Sequence, residues 1–400
     1  MKKIKLIELF GGIGACSKAL ENLGVPFDIV DYVEIDKYAV KSFNAIHGTN
    51  FEQQDITKFD VNKYINENID IIMHGSPCQD FSVSGKNLGG DKDSGTRSSL
   101  MWETVRIVES LKPRVVIWEN VKNLISKKHK HNYDAYIKTL DEIGYKSYSA
   151  VLNAKDYGIP QNRQRIFTIS ILGDFEFEFP EPIKLNITMR DLLEEKVDES
   201  YYLSDKMLSY MMSTSKNGIS RKEMFERNFN KKEDVAYTIT TLAGNRASDN
   251  FICVKNNTKK GYQEAYDGDG IDLENLTSST RRGRVQHQSC QTISTQPNKG
   301  VVVLGNYSKS NYESTRVVDN NGICPTVKEN HGSVYGTQDK NNLRIRKLTP
   351  KECWRLMGFS DIDYEKAAQV CSKTQLYKQA GNSIVVNCLY YILRKLIGGE

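Results

Sequence analysis

The sequence lacks the residue patterns that mark several classes of protein. Its eight cysteines form no C-x-x-C pair, and no histidine pair with zinc-site spacing accompanies them. We therefore expect reduced thiols, a cytosolic protein and no metal site. The N-terminal segment MKKIKLIELF is interrupted by Glu8 and followed by glycines. It predicts neither a signal peptide nor a membrane span.

The sequence also has no large excess of charge of one sign. It carries 55 Lys and Arg against 50 Asp and Glu, which gives a formal charge of +5. This balance permits a polyanionic partner without requiring one. A length of 400 residues favours two packed units.

The first third of the chain alternates short apolar runs with helical periods. This rhythm is typical of βαβ units and predicts a mostly parallel sheet. The expected strands are 4–10, 28–35, 69–74 and 114–119, and further units are expected at 134–143 and 165–171. The expected helices are 15–23, 37–47 and 99–111, with Gly24, Gly48 and Pro113 ending them.

The composition changes in the middle of the chain. Between 186 and 342, Asn, Ser, Thr and Gly crowd around short β-branched pieces, which favours an all-β or irregular domain. After 342 the pattern becomes helical again and is similar to the opening region. We therefore expect a first domain at 1–185, a second at 186–342 and a C-terminal segment at 343–400.

A glycine-rich segment, ELFGGIGACSKAL, stands between the first strand and the first helix. Such glycines allow a ligand to approach the backbone at a helix N-terminus. The segment lacks the G-K-[ST] ending of a P-loop, which disfavours a nucleoside triphosphatase. It reads G-x-G-x-x-S at Gly12, Gly14 and Ser17, and Glu34 follows at the spacing of a ribose-binding acid. This spacing suits NAD and S-adenosylmethionine equally, and an ordinary tight turn is the alternative.

A cysteine stands just beyond an apolar run in the segment DIIMHGSPCQDFSVSG. Cys78 follows Pro77 at the tip of the expected strand, where strand ends display reactive groups. On its own, a cysteine in this place is more often inert than catalytic. A reactive thiolate needs nearby positive charge, and Arg163 and Arg165 of QNRQR are candidates to supply it.

Six segments together resemble the motifs of the DNA cytosine-5 methyltransferases, in the family's order. They are ELFGGIGACSKAL, GSPCQDFSVSG, ENVKNL, IPQNRQRIF, KLTPKECWRLMGF and QAGNSIVV. The resemblance implies an α/β fold, with a Rossmann-like S-adenosylmethionine-dependent methyltransferase domain and a mostly parallel sheet. It also implies a smaller β-rich target-recognition domain at 186–342, with 343–400 returning to the catalytic domain.

The resemblance assigns roles to the catalytic residues. The thiolate of Cys78 would add to C6 of cytosine, so that C5 can take the methyl group of S-adenosylmethionine. Glu119, protonated as substrate binds, would contact N3 and the exocyclic amino group. Arg165 would hold O2, while Arg163 would steady the catalytic loop or Glu119. The target base must first leave the duplex stack.

The resemblance also assigns a cofactor site. The residues expected to bind S-adenosylmethionine are Phe10, Gly11, Gly12, Gly14, Glu34, Ile35, Asp55, Pro77, Asn382 and Ser383. Within this set, Phe10 and Ile35 would pack against adenine, Glu34 would bind the ribose and Asp55 the adenine amino group.

Contacts to DNA are expected from two further groups. Ser82, Ser84 and Arg97 match family positions near the phosphates or the opened helix. Arg281, Arg282 and Arg284 are candidates for phosphate contact by their charge, although a charged run is usually just a solvated face. Arg346 is a further candidate of the same kind.

Two rival functions share the scaffold. An RNA cytosine-5 methyltransferase would use the same cofactor, and a catalytically idle protein could bind DNA. A nicotinamide dehydrogenase would explain neither the cysteine motif nor QNRQR. We expect a monomeric cytoplasmic enzyme, of bacterial or phage origin, that acts on double-stranded DNA without a membrane. A cognate restriction endonuclease would not be required for activity.

Overall fold

A computed structural model describes most of the chain. The described residues are 2–77, 81, 89–92, 94–202, 252–255, 262–266, 269–273, 283–293, 295, 299–304 and 343–398. Two compact units divide the chain. The first comprises Met1–Asn186, Ser294–Gln296 and Cys353–Glu400, and the second comprises Ile187–Ile293 and Pro297–Glu352.

A six-stranded sheet forms the centre of the first unit. Its strands are β1 (Ile4–Leu9), β2 (Phe27–Val33), β3 (Ile71–His74), β4 (Val115–Val121), β5 (Tyr145–Asn153) and β7 (Gln164–Leu172), and the two-residue β6 (Gln161–Asn162) precedes β7. The strand order is β2-β1-β3-β4-β7-β5. Neighbours from β2 to β4 are parallel, whereas β7 runs antiparallel to both β4 and β5. The expectation of a mostly parallel sheet is confirmed.

Helices connect the parallel strands at the expected places. They are α1 (Ala15–Leu23), α2 (Lys37–His47), α3 (Met101–Leu111) and α4 (Lys130–Glu142). Gly24 and Gly48 end α1 and α2 in the left-handed conformation, which glycine adopts without steric cost. Their positions in the sequence therefore predict both helix ends correctly.

One strand of this sheet was not predicted from the sequence. β5 reads YKSYSAVLN, in which lysine and serine interrupt the apolar residues, and its burial is correspondingly uneven. It lies at the end of the strand order, so that it pairs on one side with β7. A partly exposed edge strand of this kind has a weak hydrophobic signal.

The sheet is packed on both faces. On one face, Ile72, Val116 and Trp118 belong to a core cluster with Ile107 of α3 and Leu140 of α4. Elsewhere in the first unit, α1 packs against a C-terminal helix. The C-terminal helices are α5 (Pro350–Arg355), α6 (Asp361–Ala368), α7 (Lys373–Asn382) and α8 (Val386–Leu396), and α8 is the one that contacts α1.

The second unit contains short strands, and those of its two sheets pair antiparallel. These are β8 (Ile252–Lys255), β9 (Tyr262–Ala265), β10 (Gly270–Asp272), β11 (Val285–Gln286), β12 (Cys290–Gln291), β13 (Lys299–Leu304) and β14 (Leu343–Lys347). β8 pairs with β9, and another sheet has the order β11-β10-β13-β14. Among the described helices, none is long and apolar enough to cross a membrane.

Candidate active site and cofactor site

The candidate active site lies where β3 and β4 end and β7 begins. In the parallel part of the sheet, Leu9 pairs with His74 and His74 pairs with Trp118, so β1 and β3 end side by side while β4 continues to Val121. Ligands of open α/β sheets bind at this carboxyl edge. Because β7 is reversed, its first residues reach the same edge, and Arg165 pairs with Val121.

The cysteine motif begins at this edge. Gly75, Ser76 and Pro77 directly follow β3. Cys78 comes next in the sequence. Cys78, Ser82 and Ser84 lie outside the described residues, as do Arg281 and Arg282.

Side chains of β4 and the following turn hold residues on both sides of Cys78. Trp118 donates its Nε1–H to Oγ of the buried Ser76 at 3.0 Å, and Asn120 donates to the Ser76 carbonyl at 3.3 Å. Asn123 donates to the carbonyl of Phe81 at 2.6 Å, and the Phe81 ring is fully buried. The ENVKN segment therefore fixes the chain before and after Cys78.

Glu119 is a buried acid at the same edge. Its residue surface is 8% exposed, and Oε1 lies 3.1 Å from Nε of Arg165. Burial raises the pKa of Glu119, and the charges of Arg165 and Arg163 oppose this rise only in part. The site consequently favours a carboxyl group that holds a proton and can donate it.

A glycine keeps space open beside Glu119. A Cβ atom at Gly75 would lie 3.8 Å from Oε2 of Glu119 and 3.4 Å from Cδ1 of Ile384. Any side chain at this position would extend toward the carboxyl group. The absence of one leaves room for a ligand at the acid.

Arg163 ties the QNRQR segment to the C-terminal motif AGNS. Its side chain is buried, and its Nη2 donates to the carbonyls of Gly381 at 3.2 Å and Ser383 at 2.7 Å. The backbone amide of Arg163 donates to Oδ1 of Asn153 at 3.0 Å. One arginine thus joins the end of β5 to the C-terminal end of α7.

The glycine segment forms a tight turn between β1 and α1. Gly14 has φ of 81° and donates to the carbonyl of Gly11 at 2.9 Å. Phe10 has φ of 53°, which is uncommon for a residue with a side chain and is typical of functional sites. Tyr32 donates its hydroxyl to the carbonyl of Gly12 at 2.6 Å. A Cβ atom at Gly11 would lie 2.7 Å from the Tyr32 ring, so glycine is required there.

Glu34 is directly connected to this turn. Gly12 donates its amide to Oε2 of Glu34 at 3.1 Å, and Asp36 donates its amide to Oε1 at 2.8 Å. Burial raises the pKa of Glu34. Each carboxylate oxygen retains a second acceptor site, so Glu34 can still bind a ribose hydroxyl. Beside it, Ile35 exposes 60% of its surface, which suits an apolar contact with adenine.

Asp55, Asn382 and Ser383 are further expected cofactor residues that the structure describes. The amide of Gln54, which precedes Asp55, donates to the Glu34 carbonyl at 2.9 Å. Asp55 accepts the amide and hydroxyl of Thr57 on Oδ1, and these bonds lower its pKa. Asn382 is exposed at the end of α7, and Ser383 is buried. The hydrogen-bonded acid Glu34 fits the ribose of S-adenosylmethionine, the exposed Ile35 fits its adenine, and the glycine turn fits its methionine part.

Comparison with known proteins decides the family. The model of the C-5 cytosine-specific DNA methylase family matches residues 4–398. The chain belongs to this family. The orphan methyltransferase M.SPRI of Bacillus phage SPR is 32% identical, over 99% of this chain and 98% of its own. The type II methyltransferase M.HhaI of Haemophilus parahaemolyticus is 31% identical, over 97% and 93% respectively.

Solved structures agree on the fold. The Entamoeba histolytica methyltransferase EhMeth matches with a TM-score of 0.60 at 16% identity, and the match covers 100% of this chain and 99% of that one. A putative DNA modification methyltransferase encoded within an Escherichia coli prophage matches with a TM-score of 0.54 at 20% identity, over 99% of each chain. The protein is thus a DNA cytosine-5 methyltransferase that uses S-adenosylmethionine, as the resemblance of the six sequence motifs predicted.

Two of the arginines expected to contact phosphates are placed otherwise. Arg284 is 3% exposed, and its guanidinium donates to the carbonyl of Asp272 at 3.1 Å. Arg346 is 2% exposed and forms a buried ion pair with Glu352 at 2.6 Å. Both guanidinium groups are withdrawn from solvent and bonded within the protein, so this structure gives no support to phosphate contact by them. Arg97 is exposed, at the start of the 3-10 turn Arg97–Leu100.

Sequence reasoning missed the residues that support the site from within. Tyr32 and Ser76 have no role in the predictions, yet each is hydrogen-bonded to a segment of the site. His47, at the end of α2, is another such residue. These residues contact the site only in the folded protein, and no local sequence pattern predicts such contacts.

Proposed function

We propose that Cys78 is the nucleophile of the methyltransferase and that Glu119 and Arg165 bind the target cytosine. The observation that supports this proposal is the buried Glu119, whose pKa is raised and whose carboxyl group lies 3.1 Å from Arg165. These groups stand at the strand edge where the cysteine motif begins. Addition of a thiolate at C6 places negative charge in the pyrimidine ring, and a protonated carboxyl group beside N3 would offset it.

The chemistry divides among the chain's own residues. The Cys78 thiolate forms a bond to C6, after which C5 is an enamine-like carbon. S-adenosylmethionine, when bound, supplies an electrophilic methyl group. Once C5 has taken that methyl group, a base removes the C5 proton and the Cys78 sulfur leaves C6 as a thiolate, which restores the aromatic ring. Arg165 would orient the base through O2, while Arg163 would position the AGNS segment that it already contacts.

We propose that several segments of the chain form the cofactor site. The backbone at Gly11, Gly12 and Gly14 would approach the methionine part, because glycines offer backbone groups without side chains, and Phe10 would pack against adenine. Glu34, Ile35 and Asp55 would bind ribose and adenine. Pro77, Asn382 and Ser383 would complete the site from the cysteine motif and the C-terminal segment.

The substrate is proposed to be double-stranded DNA, from which the target cytosine is rotated out of the stack. Residues 186–342 would select the sequence, with Arg97, Arg281 and Arg282 near phosphates, while 1–185 and 343–400 would carry catalysis. We propose a monomer that acts in the cytoplasm of a bacterium or of a phage-infected host. The activity would not require a restriction endonuclease.

A mechanism-based trap tests the nucleophile. The protein is incubated with S-adenosylmethionine and a duplex that carries 5-fluorocytosine at its target site, because fluorine cannot leave as the C5 proton does. We expect a covalent complex that survives denaturation, with the crosslinked peptide containing Cys78. Cys78→Ser should give no adduct. A crosslink at another residue, or no adduct at a verified target site, would overturn the proposal.

The target site for this trap is found first by methylation mapping. Unmethylated genomic DNA is treated with the protein and S-adenosylmethionine, then sequenced with single-base detection of 5-methylcytosine. Competition with transfer RNA in the same assay tests the choice of DNA. Methylation of RNA in preference to duplex DNA would contradict the proposed substrate.

A further inference from the structure

A cluster of three rings lies beneath the glycine turn. The rings of Tyr32 and Phe43 stack with centroids 3.7 Å apart, and Phe43 lies 4.6 Å from the ring of His47. Tyr32 and Phe43 are fully buried, and the His47 side chain is 2% exposed. The cluster therefore connects the C-terminal end of α2 to the turn that is assigned to the cofactor.

The closest approach is between His47 and Gly14. A Cβ atom at Gly14 would lie 2.3 Å from Nε2 of His47 and 2.8 Å from the Phe43 ring. These separations are far below van der Waals contact, so the imidazole fits against the bare backbone of the turn. Gly14 is also the N-terminal boundary of α1, and its φ of 81° depends on the turn keeping this shape.

Both nitrogens of His47 face acceptors. Nδ1 lies 2.8 Å from Oε1 of Glu21 in α1, and Nε2 lies 3.4 Å from the carbonyl oxygen of Ile13 in the turn. The tautomer decides which nitrogen donates, and each of the two nitrogens has an oxygen of a neighbouring segment beside it.

Two further charged groups act on this pair. Lys18 of α1 lies 3.3 Å from Oε2 of Glu21, which keeps that carboxylate in place. Glu8 of β1 is buried and interacts electrostatically with His47, and its carboxylate accepts the amide and hydroxyl of Ser17 in α1. His47 is thus held between acidic groups of two elements that flank the turn.

We propose that His47 is a positioning residue for S-adenosylmethionine binding, which supports the Ile13–Gly14 backbone from below and is itself oriented by Glu21. The inference rests on the proposed location of the cofactor site. The described contacts of the ring are with Glu21, Phe43 and the Ile13 carbonyl. Its effect is therefore on the affinity for the cofactor rather than on the methyl-transfer step.

The test compares His47→Phe with the natural protein. Phenylalanine keeps the ring packing on Phe43 but removes both ring nitrogens and their polar contacts. We expect the dissociation constant for S-adenosylmethionine, measured by calorimetry, to rise about tenfold because the contacts of the ring nitrogens with Glu21 and the Ile13 carbonyl are removed. The Michaelis constant for DNA and kcat at saturating cofactor should change little. His47→Gln, which keeps one donor, should give an intermediate affinity.

A matched control comes from the same end of α2. Thr49 donates its hydroxyl to Oδ1 of Asn44 at 2.8 Å, two residues beyond His47. Thr49→Val removes that bond and should leave the cofactor affinity unchanged. In a double-mutant cycle, Glu21→Gln and His47→Phe should be less than additive in cofactor affinity, because Glu21 acts through His47.

The outcomes separate this inference from the proposed function. If the natural protein binds S-adenosylmethionine and His47→Phe binds it equally well, the role of His47 is wrong while the cofactor site stands. If Phe10→Ala and Glu34→Ala also leave cofactor binding intact, the proposed site itself is wrong. Equal losses of stability and affinity in His47→Phe and Thr49→Val would show a merely structural role and overturn the inference.

Discussion

The Nε atom of Arg165 lies 3.1 Å from Oε1 of Glu119, and the two residues belong to antiparallel neighbouring strands. Despite this cation, burial is the dominant influence on the pKa of Glu119 and raises it. The arginine therefore orients the carboxyl group without fully holding it ionised. A base that docks between them would meet a proton donor and a fixed positive charge.

Replacing Glu119 by glutamine should reduce turnover strongly. An amide can hydrogen-bond the N3 position of cytosine, but it cannot transfer a proton to it. We expect kcat of Glu119→Gln to fall by about 10²–10³. DNA affinity in a gel-shift assay and the circular dichroism spectrum should be nearly unchanged. A turnover close to that of the natural protein would leave Glu119 with only a structural role.

The same substitution should change how stability depends on pH. Because the folded-state pKa of Glu119 is raised above its ordinary 4.5, folding favours the protonated form. Its contribution to stability is complete below pH 4.5 and is lost as pH rises through the folded-state pKa. The free energy of unfolding of the natural protein should therefore fall relative to that of Glu119→Gln as pH rises from about 4.5.

Denaturant titrations of both proteins at several pH values measure this difference. Buried acids such as Glu8 and Glu34 also have raised pKa values, but they are common to both proteins and cancel. A difference in unfolding free energy that is constant with pH would contradict the raised pKa of Glu119.

The hydrogen bond between Trp118 and Ser76 should matter for catalysis as well as stability. Ser76→Ala leaves the buried Trp118 N–H without its acceptor, at a cost of about 1–3 kcal/mol in unfolding free energy. We expect kcat to fall as well, because Ser76 is two residues before Cys78. Tyr145→Phe is the control, since the Tyr145 hydroxyl donates to the Pro113 carbonyl within the same core. It should lower stability similarly without lowering kcat.

Arg163 should govern affinity for the cofactor. Lysine at this position keeps the charge but lacks the planar group that reaches both the Gly381 and Ser383 carbonyls. For Arg163→Lys we expect the Michaelis constant for S-adenosylmethionine to rise about tenfold in steady-state assays. If kcat alone falls and that constant is unchanged, Arg163 does not act through the AGNS segment.

Arg284 and its sequence neighbours should differ in their salt dependence. Arg284→Gln should lower the unfolding free energy, because the guanidinium that bonds the Asp272 carbonyl is buried. It should leave the slope of log affinity for DNA against log salt unchanged. A variant with glutamine at both Arg281 and Arg282 should reduce that slope by about 2, because each arginine would neutralise one phosphate. Filter-binding titrations at several salt concentrations distinguish the two variants.

The sequence predicted the parts of the fold that local signals determine. Gly24 and Gly48 specify where α1 and α2 end, and the apolar runs specify β1 to β4. β5 was missed because a half-exposed edge strand requires few apolar residues. The burial of Arg284 could not be foreseen, since its partner is a backbone carbonyl twelve residues away. A charged side chain is expected to be exposed, but an arginine can be buried where a backbone carbonyl accepts its hydrogen bond.

The site follows the same division. The resemblance of the motifs identified Glu119 and Arg165. Glu119 lies on β4 and Arg165 on β7, and the pairing of these strands places the two side chains side by side. The motifs gave no sign of Ser76 as the acceptor of Trp118 or of His47 beneath Gly14. These contacts join residues that are 42 and 33 positions apart, and they exist only once the sheet and α2 are assembled.

The reversed direction of β7 has a consequence for how new active sites are recognised. In a wholly parallel sheet, reactive side chains follow the strands in the sequence, because only the carboxyl ends of the strands meet at the ligand-binding edge. A single antiparallel strand places its first residues at that edge. Residues at the start of β7, as in QNRQR, therefore lie beside residues at the end of β4. At such an edge, reactive side chains can come both from residues at the start of one strand and from residues at the end of its neighbour.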